Sequence, residues 1–469
     1  MKVVLVRPPF YALFGVTTPK MKTYPLNLLY LATYARDRGR YEAAVVDGEN
    51  VSVPSLTPPE NMGRAPEMIM NQRVPDMIRV LEDPEHELWI EIERQVLAQQ
   101  PDLVGITCNS GNMDTARLLV ARLKRHGLTV ILGGSHPSAL PEQSIVYTSA
   151  DLVVIGEGER TLVQVMDALS GKGSLSEVPS LAWKGARGVT VNPSAPLMKA
   201  VDDFPIPDRS FVNRPDYFGE VILTGRGCPF DCAYCASRTL WGTKVRLRSV
   251  PSIIEELSML RAQAESAGHR PGRWVVKVID DTFTVNRKRT MNLLDEIISR
   301  RLNCFEFTGG VRADTLDEVL VQKLREANFR RVTIGVESGS PRILKMIRKR
   351  ETNEDVRRAL KLLREADIHS HAFYMIGLPG ETLEDVELSR KLILETRPDH
   401  VEINMVTPYP GTDIFEQLIR EDPLKIDRWY RWFHQGMATH SERLGYDLDR
   451  AYSDFLAFAA QYHASRSTG

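Results

Sequence analysis

The chain has 469 residues, 43% of them hydrophobic and 26% charged, an ordinary globular composition with material for two or three domains. Sixty lysines and arginines face 61 aspartates and glutamates. There is no global basic field of the kind that nucleic-acid binding draws on, so no nucleic-acid partner is expected. No apolar run reaches the length of a membrane span, and Met1-Lys-Val-Val-Leu-Val-Arg-Pro-Pro9 is too short in its apolar part for a signal peptide. The expected location is the cytoplasm, away from membranes.

In chain order, Val3 to Val6 reads as a buried strand closed by Arg7-Pro8-Pro9. Leu28, Leu29, Leu31, Ala32 and Ala35 have helical spacing between Pro25, suited to a first turn, and Gly39. A second strand over Ala43–Val46 ends at Asp47. Residues 51–85 interrupt the rhythm with several prolines and four methionines. They read as an insertion with one helix near 66–82, its methionines serving as core filler. The alternation then resumes with helix 88–99, strand 103–107, helix 114–126, strand 129–132, strand 151–155 and helix 160–169. Such alternation predicts a doubly wound, Rossmann-like parallel sheet over residues 1–175. Ligands of these sheets sit beyond the carboxyl ends of the strands. Those ends carry Cys108-Asn109-Ser110, Gly133-Gly134 and Gly156-Glu157-Gly158, mostly small residues that let backbone approach a ligand and equally what a turn requires.

The order of these elements, with Gly133-Gly-Ser-His-Pro137 and then Asp151-Leu-Val-Val-Ile-Gly-Glu-Gly-Glu-Arg-Thr161, resembles the cobalamin-binding domain fused ahead of many radical enzymes. The D-x-H-x-x-G motif that supplies an axial histidine to cobalt is absent, and Arg7-Pro-Pro-Phe-Tyr11 occupies the corresponding loop. The resemblance therefore implies either cobalamin held without a protein histidine on the metal or a domain of that shape without cobalamin. His136, in its Ser-His-Pro turn, reads as a loop hydrogen-bonding residue rather than a cobalt ligand. Residues 176–215 read as a connector with a hairpin around Lys184–Gly188, and Pro205-Ile-Pro-Asp208 leads to the next domain.

That domain begins on Thr224-Gly-Arg-Gly-Cys-Pro-Phe-Asp-Cys-Ala-Tyr-Cys-Ala236. Only five cysteines occur in the chain, and Cys228, Cys232 and Cys235 fall within eight positions as C-x3-C-x2-C. Gly225, Gly227 and Pro229 forbid regular structure there, so a strand ends in a loop wrapped around something. A closed zinc site needs four ligands, usually in two pairs, and here Cys108 and Cys304 stand alone with no histidine near the loop. A [4Fe–4S] cluster normally takes four cysteines; three leave one iron open to a small molecule carrying an amine and a carboxylate. Five scattered cysteines in a chain of this size do not read as a disulfide framework.

The array, with Tyr234 before its last cysteine, resembles the signature of the radical S-adenosylmethionine superfamily. The resemblance implies a [4Fe–4S] cluster on the three cysteines, S-adenosylmethionine on the open iron, a 5′-deoxyadenosyl radical, and an external electron donor such as flavodoxin or ferredoxin. From residue 221 to 406, six strands alternate with helices, too few for an eight-stranded barrel. The expected α/β architecture is thus the Rossmann-like domain, a (β/α)6 partial TIM barrel over 216–420 and a helical tail over 421–469.

By resemblance, Asp280 and Asp281 lie where the family's second strand meets the methionine ammonium, Glu337 near the ribose hydroxyls, and Gly377 where backbone meets adenine. Arg312 is a candidate for the methionine carboxylate or for substrate. Asp280 or Asp281 is otherwise a helix N-cap, and Glu337 an ion-pair partner of Arg312 or Arg342. Cys304 is expected in the barrel core. The aromatic cluster Trp429, Tyr430, Trp432 and Phe433 is expected to seal the open barrel, with Tyr409 and His434 as substrate-side candidates.

The function expected from both resemblances is cobalamin-dependent C-methylation of a small metabolite, as in natural-product biosynthesis. The alternatives are a radical reaction without methyl transfer (dehydration of an aminosugar diol, ring rearrangement or oxidative cyclisation) and, outside enzymes, a corrinoid carrier or sensor.

Overall fold

β-Branched runs alternate with amphipathic helices twice along the chain, and each series builds its own sheet. The computed structural model describes residues 1–14, 23–56, 66–186, 188–266, 274–421, 429 and 444–467. In the first series β1 (Lys2–Arg7), β2 (Glu42–Asp47), β3 (Leu103–Thr107), β4 (Thr129–Gly133) and β5 (Leu152–Val154) pair in parallel in the order β2-β1-β3-β4-β5. Val3, Val4, Leu5 and Val6 are all buried, the continuous apolar run of a strand covered on both faces. One face packs on Leu88, Trp89, Ile92 and Met113, the other on Leu28, Ala32, Leu162 and Val165. Strand order reverses between β1 and β3, which opens a crevice at their carboxyl ends.

The hairpin expected in the connector forms as β6 (Leu181–Gly185) and β7 (Gly188–Val191), and it extends the first sheet. β6 pairs antiparallel with β5 because Leu181 and Ala182 are fully apolar and have core to fill. The insertion carries its helix at Pro66–Glu82, where Met77, Val80 and Leu81 are buried.

In the second series β8 (Glu220–Ile222) is followed by the small pair β9 (Gly225–Arg226) and β10 (Arg246–Leu247), which hydrogen-bond to each other. β11 (Trp274–Val278), β12 (Phe305–Val311), β13 (Phe329–Glu337), β14 (His369–Ile376) and β15 (His400–Met405) then join β8 in one parallel sheet ordered β8-β11-β12-β13-β14-β15. Six strands in sequence order with two unpaired ends are an open partial barrel. Alternate residues point outward to the helices, where Phe283, Phe305, Phe307 and Phe329 pack ring on ring. The opposite set, such as Glu306, Thr308, His371 and Glu402, is half-buried on the inner face.

The tail divides its work differently from the expectation. The helix Leu448–Ser467 packs Leu448, Tyr452, Phe455, Ala459 and Tyr462 into the barrel core beside β15. Trp429 instead joins the core of the first sheet, edge-on to His136 at 4.2 Å. Tyr430, Trp432, Phe433 and His434, and the side chain of Cys304, lie outside the described residues. Five helices of five to nine residues were not legible as helices, among them Ser135–Ala139, which starts within the expected Ser-His-Pro turn, and Ser237–Trp241, directly after the cysteine array. Segments this short show too little periodicity to be told from turns.

Candidate active site

The cysteine loop leaves β9 at Gly227, whose φ of +93° would be strained with a side chain. A Cβ there would lie 2.5 Å from the Lys244 carbonyl oxygen. The loop is tied to the far side of the barrel by Ala233 N–H to the Ile347 carbonyl (2.9 Å), and Ile414 N–H reaches the Ala233 carbonyl (3.3 Å). Arg348 Nε donates to the Asp231 carbonyl (3.0 Å) and Arg350 pairs with the Asp231 carboxylate (2.7 Å). The guanidinium of Arg312 lies 3.6 Å from the centroid of the Phe230 ring. Cys228 Sγ lies 3.6 Å from Thr282 Oγ1, and Cys232 Sγ 3.8 Å from the Arg348 carbonyl. Burial pushes the Cys232 thiol up, against the pull of Lys349 and Arg312. Burial, with Asp281 and the other two thiols nearby, pushes Cys235 up to about 11. Buried thiols of this kind become thiolates only when a cation compensates them.

A single tetrahedral metal would need sulfurs on the order of 4 Å apart. Among the described residues, the set of histidine, cysteine and carboxylate groups whose ligand atoms all fall within 4.8 Å of one another is His371, His400 and Glu402, not the three cysteines. The three sulfurs are therefore not gathered as the ligands of a single ion.

The strand-end carboxylates separate into distinct jobs. Asp280 is buried and turned into the barrel wall, where its carboxylate accepts from Thr224 N–H (2.6 Å) and from the Thr224 hydroxyl. Burial pushes it up to about 6, against those bonds and the neighbouring Arg289. Neither it nor Asp281 caps the following helix, whose N-cap is Asn286. Asp281 is exposed, holds Gly227 N–H at 3.2 Å and lines the cavity between the two sheets.

Glu337 ends β13 after a register shift, in left-handed backbone at φ +69°, a conformation that costs a non-glycine residue on the order of 1 kcal/mol. Its Oε1 accepts from the Tyr234 hydroxyl (2.9 Å) and from Lys349 Nζ (3.3 Å); the expected cation partners, Arg312 and Arg342, pair elsewhere. Arg312 gives its fork to Asp314 (3.0 and 2.9 Å) and to the Lys349 carbonyl (3.2 Å), while Arg342 pairs with Asp385. Gly377 N–H is bound to the Glu381 carboxylate at 2.6 Å. Arg312 thus braces the loop instead of presenting an open fork to a ligand.

The two sheets meet through a residue that motif reading passed over. Arg226, between the two glycines of the array, pairs with Glu157 (2.7 Å) and Glu159 (2.6 Å), and Arg246 also holds Glu157 (2.8 Å). Its guanidinium lies over Phe204 (4.1 Å), Trp241 (5.2 Å) and Tyr30 (5.3 Å). A lone arginine inside a glycine turn next to cysteines was the available signal. These contacts fix the cysteine loop on the β5 end of the first sheet and leave Glu157 fully engaged.

Between the sheets lies a cavity of about 270 Å³, bordered by Gly133, Gly134, Gly156 and Gly158 on one side and by Leu223, Gly225, Trp241 and Asp281 on the other. It continues as an apolar slot past Leu5, Leu28, Leu31, Gly105 and Ile131. A Cβ at Gly133 would find no neighbour nearer than 3.9 Å, and one at Gly156 none nearer than 3.8 Å. Those two glycines therefore keep volume open. Gly134 serves the chain itself, since a Cβ there would lie 2.2 Å from the Cys108 carbonyl. Cys108 is a buried core thiol, raised by burial, and borders neither cavity. Asn109 and Ser110 border a second, polar cavity of about 380 Å³ with Arg7, Tyr11, Glu49, His136, Ala236 and Tyr409. His136 has both ring nitrogens engaged, by Ser110 (2.9 Å) and Gln143 (3.3 Å), so no ring nitrogen is left for a metal.

Comparison with known proteins accords with this geometry. The sequence profile of the radical SAM superfamily matches residues 222–393, and that of the B12 binding domain matches residues 69–166. An uncharacterized methyltransferase of Pyrococcus horikoshii is 30% identical over 445 residues, covering 92% of this chain and 86% of its own. An anaerobic magnesium-protoporphyrin IX monomethyl ester cyclase of Rubrivivax gelatinosus is 26% identical over 383 residues, 78% of this chain and 67% of its own. The solved structure of the radical S-adenosylmethionine methyltransferase TsrM from Kitasatospora setae, with cobalamin and a [4Fe-4S] cluster bound, has the same fold. Its TM-score is 0.71 at 21% identity, over 90% of this chain and 78% of that one. The cofactors implied are a [4Fe–4S] cluster, S-adenosylmethionine and cobalamin. The thiol trio, with Cys232 buried and Cys228 and Cys235 half-buried, fits the first, and the cavity kept open by glycines fits the last. These matches, with a loop of three cysteines pinned by Arg226 to a glycine-edged cavity in a doubly wound sheet, place this chain in the radical SAM superfamily, among its members that carry a B12-binding domain.

Proposed function

We propose that the protein methylates a carbon of a small polar metabolite. The observation that carries the reading is the shared chamber: Asp281 and Trp241, beside the cysteine loop, line the same cavity as Gly133 and Gly156 of the first sheet. When bound there, the cluster with S-adenosylmethionine supplies a 5′-deoxyadenosyl radical and cobalamin supplies a methyl group.

This chain's own residues bind, orient and exclude water. Asp281 meets the methionine ammonium, while Asp280 keeps the preceding strand end in place through Thr224. Glu337 takes Tyr234 and Lys349 on Oε1, which leaves Oε2 toward the ribose hydroxyls. Gly377, with its N–H given to Glu381, borders the adenine. The polar cavity receives the substrate, because Arg7, Glu49, Asn109, Asn112 and Tyr409 offer donors and acceptors beside Ala236, the residue after Cys235. The cluster, when bound, would take its electron from an external one-electron donor such as flavodoxin or ferredoxin.

The similarity to a methyltransferase over 86% of its length supports methyl transfer. The similarity to a cyclase supports a second reading, in which the same hydrogen abstraction ends in oxidative ring closure. Reconstituted anaerobic protein supplied with reductant, S-adenosylmethionine and cobalamin tests the choice. Methyl transfer is expected to give bound corrinoid, 5′-deoxyadenosine and S-adenosylhomocysteine together, and a product heavier by one methylene unit. Protein that releases 5′-deoxyadenosine but retains no corrinoid and forms no S-adenosylhomocysteine overturns methylation.

A further inference from the structure

On the inner face of the barrel, far from the cysteine loop, β14 and β15 bring together two imidazoles and a carboxylate. His371 is the third residue of β14, and His400 and Glu402 are the first and third of β15. His371 and His400 are direct partners in the parallel ladder. The two rings meet edge to face at 4.4 Å and 90°. One ligand atom from each of the three side chains lies within 4.8 Å of the other two. His371 stands five residues before the end of its strand, about 16 Å from the cluster end of the sheet at 3.3 Å per residue.

An imidazolium–carboxylate pair is the simpler account of such a cluster, and the geometry disfavours it. Glu402 Oε2 is 3.2 Å from His371 Nε2, yet it lies off the hydrogen-bonding direction. That buried ring nitrogen has no hydrogen-bond partner among the described residues. A buried polar atom left in this state is unfavourable unless something else occupies the site.

The surroundings have the form of outer contacts that orient ligands. His463 of the C-terminal helix stacks flat on His400 at 4.6 Å and 6°, and its own Nε2 is held by Val401 N–H at 3.0 Å. Asn404 Nδ2 reaches Glu402 Oε1 at 3.4 Å, and Phe373 lies against His371 at 4.7 Å. One outer carboxylate oxygen and one outer ring are fixed in this way, and the inner carboxylate oxygen stands 3.2 Å from His371 Nε2.

We propose that His371, His400 and Glu402 bind one divalent transition-metal ion that bridges the last two strands of the barrel beneath the C-terminal helix. Two imidazoles and one carboxylate are ligands that zinc and ferrous iron share, and three protein ligands leave a position for water from the inner face. Binding needs the three atoms to close from at most 4.8 Å to about 3.4 Å, the spacing set by a tetrahedral ion with bonds near 2.05 Å. The ion is distinct from the cluster and independent of the methyl-transfer reading, since no residue of this set belongs to the cysteine loop or lines either cavity.

The test uses the full-length protein carrying its reconstituted cluster, passed over chelator and then titrated with zinc chloride. One equivalent of zinc per chain is expected beyond the cluster iron. X-ray absorption at the zinc edge is expected to show nitrogen and oxygen neighbours at about 2.0–2.1 Å and no sulfur. His371→Ala and Glu402→Gln should each weaken zinc at least about tenfold, and zinc should raise the unfolding temperature of wild type but not of the variants. Glu402→Gln keeps size and shape, so it remains informative where an alanine variant misfolds, and unchanged cluster iron is the folding control. Zinc that is not retained, that shows sulfur neighbours at about 2.3 Å, or that binds Glu402→Gln as tightly as wild type overturns the site.

Discussion

The two sheets present their strand ends in opposite ways. At the ends of β4 and β5 the first sheet offers glycines and an apolar slot, and the glutamate there is turned onto arginines of the barrel. The barrel offers charged side chains at nearly every end, and each engages a partner: Asp280 with Thr224, Glu337 with Lys349 and Tyr234, Arg312 with Asp314, Glu381 with Gly377. A large flat cofactor is held mainly by volume and backbone, so side chains are removed to admit it. Buried thiols and a charged cosubstrate need compensating charges, so side chains are added and then locked to one another.

Substitutions that strike one construction and spare the other test that contrast. The largest effect is expected at the thiols: replacing Cys228, Cys232 or Cys235 by alanine should abolish reductive release of 5′-deoxyadenosine and lower bound iron, while corrinoid binding to the first sheet persists. Loss of corrinoid along with iron would mean that the two constructions are one. Next is Arg226→Ala, which leaves Glu159 without its cation and Glu157 with Arg246 alone. Breaking a buried pair on one side costs about 3–5 kcal/mol, and urea unfolding with iron and corrinoid both assayed should show the two sites destabilised together.

Glu381 gives a smaller and pH-dependent effect. Burial pushes its carboxyl up to about 7 from 4.5, against bonds from Gly377 and Tyr446. The folded protein therefore holds this proton more tightly than the unfolded chain does. The associated stability is complete below about pH 4.5 and lost as pH rises to about 7, at most about 3 kcal/mol. Glu381→Gln should remove that slope from stability measured by denaturant between pH 4.5 and 7. The smallest effect belongs to the glycine side. Gly133→Val places bulk in open volume without a backbone penalty, and corrinoid affinity should fall about tenfold, or about 1.4 kcal/mol, with iron content unchanged.

The cysteine array, the two alternating series and the count of six barrel strands were legible in the linear chain because spacing and periodicity are local properties. His136 read as a hydrogen-bonding residue, and its ring nitrogens engage Ser110 and Gln143, though from the short helix Ser135–Ala139 and not from a turn. The adjacent pair Asp280 and Asp281 could not be assigned singly. Neighbouring residues beyond a strand point in different directions, and only the position of Thr224 turns one into the wall and leaves the other in the cavity. Arg312 read as an open cation because its fork is closed by Asp314 only once the loop folds back.

Local order along the chain thus determined the longer elements, the two-domain plan and the spacing of the three cysteines. What only the tertiary structure decided is partnership across long separations. Arg226 reaches Glu157 and Glu159 across more than sixty positions, Trp429 joins the first sheet, and His371 meets His400 and Glu402 across two strands. Such pairings depend on which chain segments packing brings together, and hydrophobic burial sets that globally, whereas sequence patterning reports only which face of each element is apolar.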